Sequence, residues 1–509
     1  MNVSLIRKKI GLLIRWAAKK NIPGSTSLLT NFFPQHIYHV SYFFLTKKNN
    51  VIKAQLILRH WMPKSEKECK YQDRVNEIAD VIVSNTTSII HVPSVATEQT
   101  AFNDNVMFCL HNSAPYDLAG YWHRTSSIFA ALKPVGINLS AVTRPGYPWD
   151  LIKHRQEPYR DSESIDGVII HRLNSHDFNY RQVADSQYIL NYAQQVAALA
   201  KQSRHSIIHG HSNYLNGLAA VQAAKLIGIK SVYEARGLWH YTRLSKEPAY
   251  QKTDMFQYDD LMERMAMSKA DAVVTLSSAM KSLIASWGIA DDKIWVIPNA
   301  VNTDIFKPHP KATELRKNIT TDDTFLIGFI GSITVYEGLD ELISACATLK
   351  SAGLNLHLAI VGSGPYENEI KTLAAQHDCV SVHGRIPHDE VTAWYSVFDM
   401  CAYPRRPDIV CQYVPPMKVL EAMAMGIPVL VSNLPPLVEM VDNGNVGTIC
   451  DTSASSLLEK IEFMYSNREH IHSIAEKAIS WVAQNRTWHR NAAIYKDMYR
   501  SLYQGLDKQ

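Results

Sequence analysis

The chain has only seven cysteines in 509 residues, at positions 69, 109, 346, 379, 401, 411 and 450, and no two of them form a C-x-x-C pair. Scattered and mostly set within apolar runs, they supply neither a zinc-ligand spacing nor a disulfide framework, and they fit a reducing compartment. No apolar run approaches the roughly 18 residues that a membrane-spanning helix requires. What is present, 46% hydrophobic and 20% charged residues, is a globular balance able to bury a sizeable core. At this length one ordinary domain is exceeded, and two or three are expected.

Acidic residues are nearly missing from the first 70 positions, which hold 13 Lys and Arg against Glu66 and Glu68 alone. That segment is +11; the chain as a whole is +4, so the remainder is −7. The opening MNVSLIRKKIGLLIRWAAKK sets Ile6, Ile10, Leu13 and Ala17 at helical spacing among six basic residues. Residues 1–20 therefore suit an amphipathic helix on an anionic membrane surface, and equally a basic helix packed on the protein itself or on a partner subunit. Arg15 interrupts the apolar core that a signal peptide needs, which argues for a cytoplasmic protein, peripheral at most on the inner face of the cytoplasmic membrane. No nucleic-acid-binding module accompanies the charge, so no nucleic acid is expected as partner. Through about Asn105 the chain reads as a mostly helical extension.

The stretch Tyr403–Ser432, YPRRPDIVCQYVPPMKVLEAMAMGIPVLVS, carries the densest signal. Pro415 and Pro416 suit the entry to a helix, Met417–Met425 is rich in helix formers, and Gly426 with Pro428 supplies a left-handed cap and a stop. Val429–Ser432 then has the length and β-branched content of a buried parallel strand. Lys418 and Glu421, three apart, share a face of the first turns, near backbone N–H groups that can meet an anion. Arg405 and Arg406 follow an apparent strand at Asp399–Tyr403, and loops at the carboxyl ends of such strands line the ligand crevice of an α/β sheet. A diphosphate fits that setting, with Glu421 accepting hydrogen bonds from a vicinal diol such as a ribose. A solvated helix with a surface Lys–Glu pair fits the residue types as well.

Five motifs in order add to this reading: IPNAVNTDIF at 297–306, FIGSITVYEGLDELI at 329–343, IVGSGP at 360–365, VHGRIPHDEV at 382–391, and PPMKVLEAMAMGIPVLVS. With them, the chain from about Met107 to its end resembles a family 4 glycosyltransferase, of the retaining, nucleotide-sugar-using group. The resemblance implies the GT-B fold, in which two Rossmann-like doubly wound domains face across a cleft. It also implies that Glu421, as the second Glu of an E-x7-E pattern, contacts the donor ribose. The first Glu is missing: counting back eight gives Tyr413, with Gln412 as the nearest polar candidate. The Arg and Lys that commonly follow the first donor-domain strand appear here as Ser332 and Glu337, and Arg405 and Lys418 are expected to supply the positive charge instead. The D-x-D pair through which the other major glycosyltransferase fold binds a metal does not occur, so no metal and no cofactor are expected beyond a UDP- or GDP-linked sugar as co-substrate.

The remaining candidates lie on an alternating βα pattern, which argues for parallel doubly wound sheets. Val106–Leu110 reads as a buried strand, and Gly120 as the residue just before a helix running to about Lys133; by resemblance that glycine lets a loop approach the donor phosphates or acceptor. Arg144, after strand Asn138–Thr143, is a candidate for an anionic acceptor or a surface residue. His211 follows strand Ser206–His209, at a position where family members often carry a histidine facing the reacting sugar; a loop histidine more commonly caps or lies at the surface. Glu234, Arg236 and Trp239 follow strand Lys230–Tyr233 and suit a polar sugar pocket, or a local ion pair with a packed tryptophan. Gly362 and Gly364 permit close backbone approach to a ligand or simply form a turn. Arg385 and Ile386 are placed by the base pocket. The expected boundaries are 1–105 for the extension, 106–302 for the acceptor domain, 303–480 for the donor domain, and 481–509 for a C-terminal helix, Trp481–Tyr503, crossing back.

The implied reaction transfers a sugar from a nucleotide-diphosphate donor to an acceptor hydroxyl with retention, on a glycan or lipid-linked acceptor in surface polysaccharide or lipid-linked glycan assembly. Three alternatives share the scaffold: a nucleotide-sugar epimerase, a domain that binds nucleotide sugar without turnover, and an assembly subunit of a polysaccharide-synthesis complex.

Overall fold

The computed structural model describes residues 37–58, 61–84, 101–118, 120–173 and 183–504, with residues 12, 16, 19 and 20. The amphipathic start expected at residues 1–20 lies almost entirely outside the described residues. Two compact units result: residues 1–122, 137–273 and 500–509 form one, residues 123–136 and 274–499 the other.

The first sheet contains β1 (Asn105–Leu110), β2 (Asn138–Thr143), β3 (Ser162–Ile165), β4 (Val168–Arg172), β5 (Ile207–His211), β6 (Lys230–Glu234), β7 (Ala272–Thr275) and β8 (Ile294–Val296), in the order β3-β4-β2-β1-β5-β6-β7-β8. β1, NVMFCL, is buried along nearly its whole length, as a strand covered on both faces must be. β1 pairs in parallel with β2 on one side and β5 on the other. The sheet is not wholly parallel, however: β3 runs antiparallel to β4 at its edge. Asp166 and Gly167 make the turn, with φ of +49° and +70°, and two left-handed residues give a hairpin twist that matches the strands. The helix Tyr214–Ile227 is buried from Tyr214 to Ala224 and lies on β5 and β6. Gly217 allows this approach, because a Cβ there would lie 2.5 Å from the Tyr233 ring.

The second sheet contains β9 (Phe325–Ile330), β10 (Leu356–Val361), β11 (Val380–Val382), β12 (Met400–Tyr403), β13 (Val429–Ser432) and β14 (Thr448–Cys450), all parallel, in the order β11-β10-β9-β12-β13-β14. Chain order runs outward from β9 to β11 and then returns to β12 on the other side of β9. The loops after β9 and β12 therefore diverge at the carboxyl edge, where an open parallel sheet has its ligand crevice. In the first sheet the corresponding point lies between β1 and β5.

Helices Ile37–Lys48, Val51–Leu58 and Glu66–Ser84 make up the described part of the extension. They belong to the first unit rather than forming a loose arm. Within them Ser41 Oγ donates to the Ala54 carbonyl (3.0 Å) and meets Tyr71 Oη at 2.8 Å. Outward, Ile52 N–H donates to Asp254 (2.9 Å) and Ser186 N–H to Glu77 (3.0 Å). At the other end, the single helix expected over Trp481–Tyr503 is two helices, Arg468–Asn485 and Trp488–Ser501. The break has a partner: the Arg486 carbonyl accepts from Val301 N–H at 2.9 Å, and Val301 bridges Thr487.

Candidate active site

In the second unit, three charged side chains meet where the loops after β9 and β12 diverge. Glu337 Oε1 accepts from Arg405 Nη2 at 2.8 Å, and Glu337 Oε2 from Lys418 Nζ at 2.6 Å and Arg405 Nε at 3.3 Å. All three are largely buried, with side-chain exposures of 4% for Glu337, 11% for Arg405 and 10% for Lys418. Arg405 Nη1 also donates to the Val414 carbonyl at 3.1 Å. Lys418 Nζ lies 3.9 Å from the centroid of the Phe329 ring and 5.6 Å from that of Tyr403, both at or near the ends of their strands. Burial alone would push the Glu337 carboxyl up, but Arg405 and Lys418 hold it down to about 2. Burial brings the Lys418 ammonium down to about 8, against the opposing pull of Glu337. With one carboxylate and two cations, the cluster carries a net single positive charge.

Glycines set how closely these loops pack. Gly362 has φ +140°, and a Cβ there would fall 1.9 Å from the Gly331 carbonyl oxygen; at Gly364 it would fall 2.2 Å from that of Ile333. These glycines serve backbone-to-backbone contact between the loops after β10 and β9. At Gly331 a Cβ would stand 3.0 Å from Lys418 Cδ and 3.1 Å from Nζ, so the lysine runs along that bare backbone.

Several candidate residues here have partners within the protein. Arg405 and Lys418 both contact Glu337, the residue standing where a lysine was expected. Glu421 lies on the helix Lys418–Ala424 as expected, yet it is not a wholly unengaged acceptor: its Oε2 accepts from Tyr395 Oη at 3.1 Å, and burial raises its pKa. Arg406 is outside the cluster, paired with Asp340 (2.5 Å) and Glu341 (3.1 Å). Ser332 and Arg385 are exposed, and Ile386 is half-buried against the hydrophobic core. Gln412 ends the short turn Ile409–Gln412, and the neighbouring Tyr413 carbonyl accepts from Ser277 Oγ at 2.7 Å.

In the first unit, His211 and Glu234 are the last residues of β5 and β6 and are direct cross-strand neighbours. Arg236 joins them, its Nε donating to Glu234 Oε1 at 2.7 Å and its Nη2 to His211 Nε2 at 2.9 Å. A guanidinium can only donate, so His211 Nε2 accepts and the ring is neutral with its proton on Nδ1. Arg236 Nη1 donates to the Tyr121 carbonyl (3.1 Å), and Trp239 Nε1 to Tyr121 Oη (2.5 Å). His209 Nε2 lies 3.3 Å from Glu234 Oε2. The ligand atoms of His209, His211 and Glu234 all lie within 4.8 Å of one another, close enough to hold a metal ion. The Arg236 guanidinium already brings a fixed positive charge to two of them, which opposes a divalent cation there.

Two further candidates of this unit depart from expectation. Arg144 is buried and forms a double contact with Asp150, at 2.5 Å and 3.2 Å, so its charge is matched internally rather than offered to an anionic acceptor. Gly120 begins its helix, Gly120–Leu132, instead of preceding it, and a Cβ there would meet nothing within 4 Å. Glu337, Tyr395, His209 and Tyr121 were not singled out as site residues; the Y-E-G-L wording around Glu337 was the one available signal.

Comparison with known families and structures adds the following. Residues 311–481 match the model "Glycosyl transferases group 1" and residues 119–300 the model "Glycosyl transferase 4-like domain", together more than half of the chain. A GDP-mannose-dependent alpha-(1-6)-phosphatidylinositol monomannoside mannosyltransferase of Mycobacterium tuberculosis is 28% identical over 239 residues, 45% of this chain and 62% of that protein. The capsular polysaccharide biosynthesis glycosyltransferase CapM of Staphylococcus aureus is 26% identical over 212 residues, 40% of this chain and 54% of that protein. The chain thus spans less than two thirds of either relative's length. Among solved structures, sucrose-phosphate synthase from Thermosynechococcus elongatus superposes with a TM-score of 0.64 at 18% identity, covering 79% of this chain and 99% of its own. Its likeness fixes the fold, that of the GT-B glycosyltransferases.

Proposed function

Since the chain belongs to the glycosyl transferases group 1 family, we propose that it moves a sugar from a nucleotide-diphosphate donor to an acceptor hydroxyl with retained configuration and without a metal. One observation carries the donor side: the buried cluster of Glu337, Arg405 and Lys418, net positive by one, at the carboxyl edge of β9 and β12. Preorganised charge at the place where charge develops is the largest single contribution an enzyme of this kind makes. In this reading the bond from the anomeric carbon to the diphosphate oxygen breaks, and its electron pair stays on the diphosphate beside Lys418 and Arg405. The acceptor oxygen bonds to the anomeric carbon on the same face, and its proton passes to the departing phosphate oxygen. Glu421, with one oxygen held by Tyr395, takes the donor ribose. On the acceptor side, Arg236, anchored on Glu234, fixes the neutral tautomer of His211 at the carboxyl ends of β5 and β6.

Of the named relatives, one is a GDP-mannose-dependent phosphatidylinositol monomannoside mannosyltransferase and the other belongs to capsular polysaccharide biosynthesis; the first supports a GDP-linked donor, with a UDP-linked one as the alternative, and the two support a lipid-linked or glycan acceptor here. Thermal stabilisation against a panel of nucleoside diphosphates tests the reading. A ligand at about 100 times its Kd adds roughly 2.7 kcal/mol, so one diphosphate should raise Tm by several degrees, and Glu421→Ala should abolish most of that rise. A panel with no stabilising nucleotide would remove the donor site.

Among the described residues no helix is long and apolar enough to cross a membrane. The basic excess of the first 70 residues supports peripheral contact with an anionic membrane through residues 1–20. Deleting those residues should release the protein from vesicles containing anionic lipid in a flotation assay. Unchanged flotation would end the tethering role.

A further inference from the structure

Glu337 is an odd residue to find at a site meant for phosphate, because a carboxylate repels one. Its surroundings give the reason. Both of its oxygens are occupied by Arg405 and Lys418, and it contacts them from a loop, Val335–Glu337, fixed on two sides. Gly338, the next residue, has φ +69°, and a Cβ there would fall 2.0 Å from the Pro404 carbonyl oxygen. The Tyr336 carbonyl accepts from Arg406 N–H at 2.9 Å, and Arg406 pairs onward with Asp340 and Glu341. The loops after β9 and β12 are thus held together by one ionic seam, with Glu337 at its buried end.

Resting on the donor-site reading above, we propose that Glu337 is a positioning residue for sugar transfer: it holds Arg405 and Lys418 together against their mutual repulsion and keeps the lysine charged, so that the two present one net positive charge to the diphosphate at fixed spacing. Without the carboxylate, two cations would share a buried space, and the lysine, unlike the arginine, can give up its proton. The groups facing Lys418 make the direction clear. Glu337 favours its charged form and Arg405 opposes it. Cys411, its thiol pushed up to about 11 by burial, and Tyr403, raised well above its ordinary value, stay neutral near pH 8. Glu421, one turn along the helix, is raised by burial.

The test is calorimetric titration of UDP and GDP into the full chain between pH 6 and 9.5. In the unmutated protein, affinity should fall once the pH passes about 8, where Lys418 loses its proton. In Glu337→Gln the fall should begin at least one pH unit lower, giving a tenfold or greater loss at pH 8.5 and a much smaller one at pH 6.5. Glu337→Asp, whose shorter carboxylate cannot meet both cations, should fall between the two, and it carries the test if the Gln variant does not fold. A midpoint unmoved in these variants, or a loss equal at every pH, would overturn the role and leave the donor site standing. Failure of the unmutated chain to bind either nucleotide would instead overturn the donor-site reading and this role with it.

Discussion

Lys418→Met should lower kcat/KM for the nucleotide-sugar donor by about 10²–10³, the range found on removing one preorganised charge donor from a leaving-group or oxyanion site. Methionine keeps the length of the stem and its place along Gly331 and against Phe329, where a thioether packs well on an aromatic ring. Glu337 keeps its double contact with Arg405, so no buried carboxylate is stranded. The site's net charge drops from one to zero while its shape is nearly conserved. Steady-state kinetics with the donor identified by the nucleotide panel, alongside a Tm within a few degrees of the parent, would register this separation of activity from stability. Unchanged kinetics would take Lys418 out of the reaction.

The opposite pattern is expected at Glu234. Glu234→Ala removes the partner of Arg236 at 2.7 Å and of His209 at 3.3 Å in a wholly buried setting. Breaking a buried pair by deleting one member typically costs about 3–5 kcal/mol, because the other charge is left without compensation. Urea denaturation should show that loss for Glu234→Ala and a smaller one for Glu234→Gln, which retains an acceptor for Arg236. A change under about 1 kcal/mol would mean that the cluster does not hold the ends of β5 and β6 together.

These residues also mark what could be read in the chain without coordinates. The short apolar run Val429–Ser432 is a strand with the bounds the sequence suggests, because a strand buried on both faces has no periodicity to misjudge; Asn138–Thr143 also keeps its expected bounds, although it is buried only from Ala141 onward. The helix carrying Lys418 and Glu421 was equally legible, punctuated by prolines before it and Gly426 after it. Pairings across long separations were not. Glu337 lies 68 residues from Arg405 and 81 from Lys418, and nothing local distinguishes a lost lysine from one whose charge has been moved to another strand's loop. Arg144 and Asp150 are only six apart, but the turn that brings them together, and buries them, is tertiary. The break at Arg486 is tied to Val301, 185 residues earlier in the chain, and its local sign is Thr487, whose Oγ1 accepts from Arg490 N–H at 3.3 Å as the cap of a new helix. Asp166–Gly167, by contrast, is a local hairpin signal, an Asp-Gly pair whose left-handed φ values make the two-residue turn.

That hairpin bears on how the protein behaves at high concentration. A parallel sheet ending in a long apolar strand would leave a row of unpaired backbone groups able to recruit a strand from another copy. Here the border strand is four residues long, reads SESI, and runs against the direction of the strands behind it. Its Glu163 is tied to the buried Arg172 at 2.6 Å and approached by Arg160 at 3.5 Å, so a strand adding at that border would have to displace a charged, internally bonded side chain. The short antiparallel turn-back therefore protects this side of the first sheet from edge-to-edge aggregation.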